Sequence, residues 1–147
     1  MEKMKKGVDY IGVTCVFYCH DGKGNFLLHQ RSEKCKDEQG TWDCGGGGLE
    51  FGEEFEEGVK REIKEEYDCD VLNLRFAGVS NVLRKNREKI PTHWIALLFA
   101  AEVNPKQVKL GDPEKMIQLG WFKPDEFPEP RHSMLMRHFE MIKEVIN

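Results

Sequence analysis

Four consecutive glycines, Gly45–Gly48, run almost directly into a glutamate-dense segment, and this junction limits the folds open to the chain. From Glu53 to Tyr67 the apolar residues Phe55, Val59, Ile63 and Tyr67 recur at helical spacing, so the spacing predicts a helix with that stripe buried. Gly58 falls inside it. An interior glycine costs about 1 kcal/mol relative to alanine, so close packing is expected there. Glu62, Glu65 and Glu66 sit at i, i+3 and i+4 and share another face. Like charges at that spacing repel, and near a helix C-terminus the dipole disfavours anions. Two readings follow: a solvated helix face, or a set of oxygen ligands for a hard divalent cation, Mg²⁺ above all.

The rest of the chain supplies strands around this helix. Residues 10–19 (YIGVTCVFYC) alternate and are β-rich. Residues 20–25 read as a turn, and Phe26 to Gln30 as the second arm of a hairpin. Ser32 to Gly40 is polar and reads as a loop. Thr41 to Cys44 reads as a short strand, with Gly45 to Gly48 a glycine turn after it. Val71 to Arg84 reads as a strand with a bulge, and residues 84–89 as a charged turn. Residues 92–103 (THWIALLFAAEV) are apolar on both faces at their centre, which predicts a central strand. Leu119 to Lys123 is a further strand. From Ser133 to Ile146, Leu135, Phe139, Ile142 and Ile146 mark the inward face of a last helix. Strands on both sides of one helix, with a second helix at the end, predict a three-layer α/β/α domain spanning 1–147.

Composition serves mainly to exclude. With 39% hydrophobic and 33% charged residues among 147, the chain has a globular composition. No apolar run approaches a membrane span, and the first residues, MEKMKKGVD, lack a signal-peptide core, which gives a cytoplasmic expectation. Cys15, Cys19, Cys35, Cys44 and Cys69 are odd in number and form no C-x-x-C pair, so reduced thiols are expected. Cys15 and Cys19 share strand parity and should face the same side. Net charge is −4. Residues 50–66 hold eight glutamates against Lys60, Arg61 and Lys64, a local −5, leaving +1 elsewhere. An acidic box on a near-neutral body argues against nucleic-acid binding, which needs a basic stripe. Arg84, Lys85, Arg87 and Lys89 make only a small basic footprint.

The segment Gly47–Cys69 resembles the Nudix hydrolase signature G-x5-E-x7-R-E-U-x-E-E-x-G-U, where U is bulky and apolar. Gly47, Glu53, Arg61, Glu62, Ile63, Glu65 and Glu66 all fall in register. Asp68 stands at the late glycine and Cys69 at the last apolar position. Asp tolerates the left-handed conformation better than most residues, so only the loop after the helix should differ. The match covers 23 of 147 residues.

The resemblance implies a mixed sheet between helices and a Mg²⁺- or Mn²⁺-dependent attack of water on a nucleoside diphosphate linked to another group. Carried over by position, Glu62, Glu65 and Glu66 are metal ligands, and the Gly46 carbonyl joins them. The general base is one of these glutamates or one outside the box. Arg61 orients a carboxylate, with Glu53 its partner, and its planar fork suits that better than lysine; the alternative for this pair is an ordinary surface ion pair. Gly45 stands where the family form commonly has proline. Asp112 and Glu114 lie where the family often places a further acidic or substrate-contacting residue. Trp42 either stacks on a base or packs on the sheet. Trp94 and Trp121 read as core, and the five histidines show no ligand spacing.

Markers of the ADP-ribose and dinucleoside polyphosphate subgroups are absent, and the coenzyme A motif is only partly matched. The resulting expectation is a nucleoside triphosphate, oxidised forms included, cleaved to monophosphate and pyrophosphate. A nucleoside diphosphate sugar is the alternative substrate. A non-catalytic nucleotide sensor is the alternative class. A small nucleotide is the expected partner, with no membrane and with homodimerisation open.

Overall fold

The computed structural model describes residues 2–146. One seven-stranded sheet collects β1 (Gly12–His20), β2 (Phe26–Arg31), β3 (Trp42–Asp43), β4 (Gly45–Gly48), β5 (Val71–Lys85), β6 (Pro91–Val103) and β7 (Met116–Phe122). Helix α1 (Phe55–Tyr67) follows β4, and α2 (Leu135–Ile142) closes the chain after a 3-10 turn at Pro124–Glu126. The path runs β3-β2-β1-β6-β5, with β4 also on β1 and β7 also on β2. β1 and β6 are parallel and every other pair is antiparallel, so the sheet is mixed.

The sheet buries a different apolar set on each face. Cys15, Phe17, Cys19, Leu97, Phe99 and Ala101 meet Val59, Ile63 and Tyr67 of α1. Tyr18, Leu28, Ala96, Leu98 and Ala100 meet Leu135, Phe139 and Ile142 of α2. The parity of 15/17/19 against 16/18 is the strand alternation itself. The α/β/α arrangement expected from the sequence is therefore present, with β6 an interior strand between β1 and β5 and β1 at the middle of the path. Cys15 and Cys19 share the α1 face, and all five thiols are free. Among the described residues, no helix is long and apolar enough to cross a membrane.

The helix ends have local causes. Glu54 is the N-cap of α1 and forms a capping box with Glu57, so the helix starts two residues after Glu53. Phe55 then lies on the first turn, 48% exposed, and drops out of the expected stripe. Asp68 ends the helix at φ 50, ψ 42, the left-handed cap that usually takes glycine. A Cβ on Gly58 would stand 2.9 Å from Glu53 Oε1 and 3.0 Å from Leu49 Cδ1, which is the close packing its position implied.

Other boundaries shift. The glycines expected to turn form β4 instead, paired antiparallel with β1 from Thr14↔Gly48 to Phe17↔Gly45. The phenyl ring of Phe17 would lie 2.0 Å from a Cβ on Gly45, so a side chain there would break that pairing. β5 has irregularities at Val71/Asn73 and Phe76/Gly78. β7 begins at Met116 rather than Leu119, and α2 covers only Leu135–Ile142 of the predicted 133–146 span. Ile146 still packs against the α2-side core. Trp94 and Trp121 are only partly buried, each packed against the edge of a core cluster.

Candidate active site

β4 carries the site because only one of its edges is paired. Leu49 N–H donates to Val13 O at 3.1 Å, so residues of that parity face β1. A strand residue's N–H and C=O project to one side, so Gly46 and Gly48 turn their peptide groups to the free edge. There the Gly46 N–H faces the Glu66 carboxyl, and Arg61 Nη2 donates to Gly48 O at 3.3 Å. The Gly46 carbonyl shares that edge. Glu62 lies against the strand itself. A Cβ on Gly47 would sit 2.2 Å from the Glu62 carboxyl carbon, so this glycine makes room for the carboxylate.

Arg61 organises the acidic residues. Its Nε and Nη2 donate to the two Glu53 oxygens at 2.7 and 3.0 Å, a bidentate pair. Its Nη1 donates to Glu62 Oε1 at 2.8 Å and to Glu65 Oε1 at 3.4 Å. One guanidinium thus links the start of α1, its inner carboxylate and its rim. Hydrogen bonding to Arg61 holds the Glu53 carboxyl down to about 2. The same bond pushes the guanidinium further above its ordinary value.

The three glutamates of the shared face differ in environment. Glu62 and Glu66 are 6% and 2% exposed, whereas the Glu65 side chain is 56% exposed on the rim. Burial pushes the Glu66 carboxyl well above its usual range, with Lys115 opposing the shift and Glu62 reinforcing it. Glu62 Oε2 and Glu66 Oε2 are both buried and accept no hydrogen bond. Buried carboxylate oxygens left this way are strongly unfavourable unless something positive meets them. Two buried carboxyl oxygens beside a glycine carbonyl fit a divalent cation, which would hold Glu66 ionised against its burial. Among the described residues, no three His, Cys, Asp or Glu side chains converge into a complete coordination shell. Gly46 and oxygens from solvent or substrate would have to complete one.

The remaining candidates lie elsewhere. Trp42 is 9% exposed, in the α2-side core, with its ring edge-on to Phe122 at 5.4 Å. Both its backbone groups are engaged, N–H to Pro130 O and O from His132 N–H. Of the two readings of Trp42 the structure shows packing, and it offers no open ring face for a base. Glu114 is an exposed residue whose carboxylate pairs with Lys34 Nζ at 2.9 Å. Asp112 Oδ1 accepts the Glu114 N–H within the same turn. This loop meets α1 through its backbone: Lys109 N–H donates to Tyr67 O and Gly111 N–H to Glu66 O. A Cβ on Gly111 would stand 2.3 Å from Glu65 O, so glycine lets the loop cap the helix.

A polar network on the α2 side has no local sequence pattern. Arg84 pairs with Asp37 at 2.8 Å and with Glu38, Arg31 pairs with Asp37 at 2.8 Å, and His132 Nε2 lies 3.0 Å from Glu38. Glu38, at φ 45, also accepts from Ser133 N and Oγ at 2.6 and 2.9 Å. Arg84 therefore leaves the basic cluster counted from the sequence and turns inward. The only cue was an arginine with strand parity in a charged stretch.

The fold and site define a class, and similarity to known proteins agrees with it. The NUDIX domain profile matches residues 10–145, and the chain belongs to the Nudix hydrolase family. It is 35% identical over 123 residues to a Caenorhabditis elegans protein named as a nudix hydrolase, covering 82% of this chain. The chain spans only 30% of that relative's length. It is 26% identical over 120 residues to Escherichia coli nucleoside triphosphatase NudI, covering 78% of this chain and 82% of that one. A crystal structure of a MutT NUDIX hydrolase from Burkholderia pseudomallei superposes with a TM-score of 0.79 at 26% identity, over 90% of this chain and 98% of that one.

Proposed function

We propose that the protein is a Mg²⁺-dependent pyrophosphohydrolase that cleaves a nucleoside triphosphate, oxidised forms included, to a monophosphate and pyrophosphate. The observation that carries this is the pair of buried, unpartnered oxygens, Glu62 Oε2 and Glu66 Oε2, beside the free edge of β4. Glu62, Glu65, Glu66 and the Gly46 carbonyl would hold the ion. A bound divalent ion neutralises phosphate oxygens and lowers the pKa of its water. Arg61, itself anchored by Glu53, fixes Glu62 and reaches Glu65. Glu65 stands on the open rim, where its carboxylate would meet the ion from the solvent side. Nucleoside triphosphatase NudI matches over most of both chains and supports the triphosphate assignment.

A substrate panel tests the reading. Nucleoside triphosphates, nucleoside diphosphate sugars and NAD are incubated with Mg²⁺, and pyrophosphate is measured against phosphate. Triphosphates yielding pyrophosphate, with kcat reduced roughly 10²-fold or more in Glu65→Gln, are the expected result. Preferred turnover of a diphosphate sugar would replace the substrate. Nucleotide binding without turnover in any arm would make the protein a sensor.

A further inference from the structure

The residues ahead of β1 lie outside the Nudix signature, yet they are fixed against the site. Asp9 N–H donates to Lys5 O and Gly7 N–H to Tyr10 O, both at 2.8 Å, closing a tight turn. His93 N–H donates to Gly7 O at 2.8 Å, which ties this turn to the start of β6. Gly7 has φ +80, and a Cβ on it would lie 2.3 Å from the Trp94 indole. Only glycine lets the turn settle on that ring.

Lys6 leaves the turn along a path cleared by two more glycines. Its Cγ is 2.8 Å from where a Cβ of Gly12 would stand. Its Nζ lies 3.4 Å from where a Cβ of Gly48 would stand, and nothing else lies within 4 Å of that point. Gly48 pairs with Thr14, two residues from Gly12, so both glycines open onto one sheet face. Glu62 stands over Gly47, and by strand alternation it occupies the opposite face. Like most lysines among the described residues, Lys6 has no carboxylate partner, and its place over Gly48 is what sets it apart. Its stem lies on backbone and its ammonium is left to solvent, the usual division for this side chain.

The free edge of β4 therefore has carboxylates with two unpartnered oxygens on one side and an unpaired ammonium on the other. A phosphate chain carries negative charge on each phosphorus, so a ligand rounding this edge meets compensation on both faces. We propose that Lys6 is a substrate-contact residue, which binds the phosphate chain of a nucleoside polyphosphate on the sheet face opposite Glu62. This rests on the pyrophosphohydrolase reading for the identity of the ligand. It adds a residue that no signature position supplies, and it makes the 5–10 turn part of the site.

The test compares wild type, Lys6→Ala and Lys6→Arg. Affinity for inorganic pyrophosphate with Mg²⁺ is measured by calorimetry, KM and kcat on a nucleoside triphosphate are measured separately, and melting temperature is read without ligand. Loss of one charge-assisted contact should weaken pyrophosphate binding in Lys6→Ala roughly ten-fold or more. KM should rise more than kcat falls, melting should not change, and Lys6→Arg should retain most of the affinity. Unchanged pyrophosphate affinity in Lys6→Ala overturns the proposal, as does a wild type that does not bind pyrophosphate. Equal losses in both variants with lowered melting would make Lys6 structural and also overturn it. Pyrophosphate binding needs no turnover. A wild type that binds it through Lys6 and hydrolyses nothing upholds the Lys6 contact and removes the hydrolase reading alone.

Discussion

At the residue scale, the site depends on what glycines leave empty. Gly47 is the clearest case, because the Glu62 carboxyl carbon occupies the position within 2.2 Å of its absent Cβ. In Gly47→Ala the methyl must displace either the carboxylate or β4. Glu62 is held by Arg61 Nη1 at 2.8 Å, so displacement would carry the guanidinium and its grip on Glu53 with it. A shift of about 1 Å at a reacting centre lowers rate by roughly 10²-fold. We expect that loss in kcat for Gly47→Ala, with β-sheet circular dichroism retained. Activity within a factor of two of wild type would show that Glu62 is not held where the reaction needs it. The same residue marks what was readable: its register with Glu53 and Arg61 was visible in sequence. That a carboxylate fills its side-chain space was not, because the contact crosses from strand to helix.

At the element scale, α1 is the best-read part of the chain and its ends are the instructive parts. The helix body follows Val59, Ile63 and Tyr67, all fully buried. The expected start failed because Glu54, not Glu53, caps the helix, and Glu53 is drawn to Arg61. β4 was unreadable as a strand, since four glycines carry no alternation. Its partner β1 makes it one. Trp42 could not be assigned from sequence because an aromatic at a strand start suits either a core or a stacking role, and only the ring of Phe122 decides. The end of α1 gives a prediction. Asp68 holds φ 50 where the family signature has glycine, and its ion contact with Lys64 is long, at 3.9 Å. Alanine in left-handed backbone costs about 1–2 kcal/mol, whereas glycine does not. Urea unfolding should show Asp68→Ala destabilised by about 1 kcal/mol and Asp68→Gly at or above wild type. Equal stability of the two variants would contradict the strained cap.

At the scale of the whole molecule, the two cores on either face of the sheet each enclose an imidazole. His29 bonds Tyr67 OH at 2.8 Å under α1, and His138 bonds Ser80 Oγ at 3.0 Å under α2. Burial lowers both from 6.5 to about 4. A histidine with a depressed folded value adds stability that is fully present above its unfolded value and lost as pH falls through the folded one. Both therefore destabilise the fold as pH drops from about 6.5 to about 4. Glu66 has the opposite sign. Its raised carboxyl adds stability that is present in acid and lost as pH rises through its folded value. Glu53, held down to about 2, begins to lose its stabilisation only near its ordinary carboxylate value, at the acid end of this range, and with the same sign as the imidazoles. Burial lowers His20 as well, and three imidazoles against one carboxyl leave the unfolded state binding more protons, so net stability falls on acidification. A cation held at Glu66 would keep that carboxylate ionised and remove the opposing contribution. Melting temperatures between pH 7 and pH 4.5 should fall more steeply with Mg²⁺ than with a chelator. His138→Gln should flatten both curves by a similar amount, because it lies on the face away from α1. A slope untouched by that substitution would mean the buried imidazole takes up its proton without opening the core.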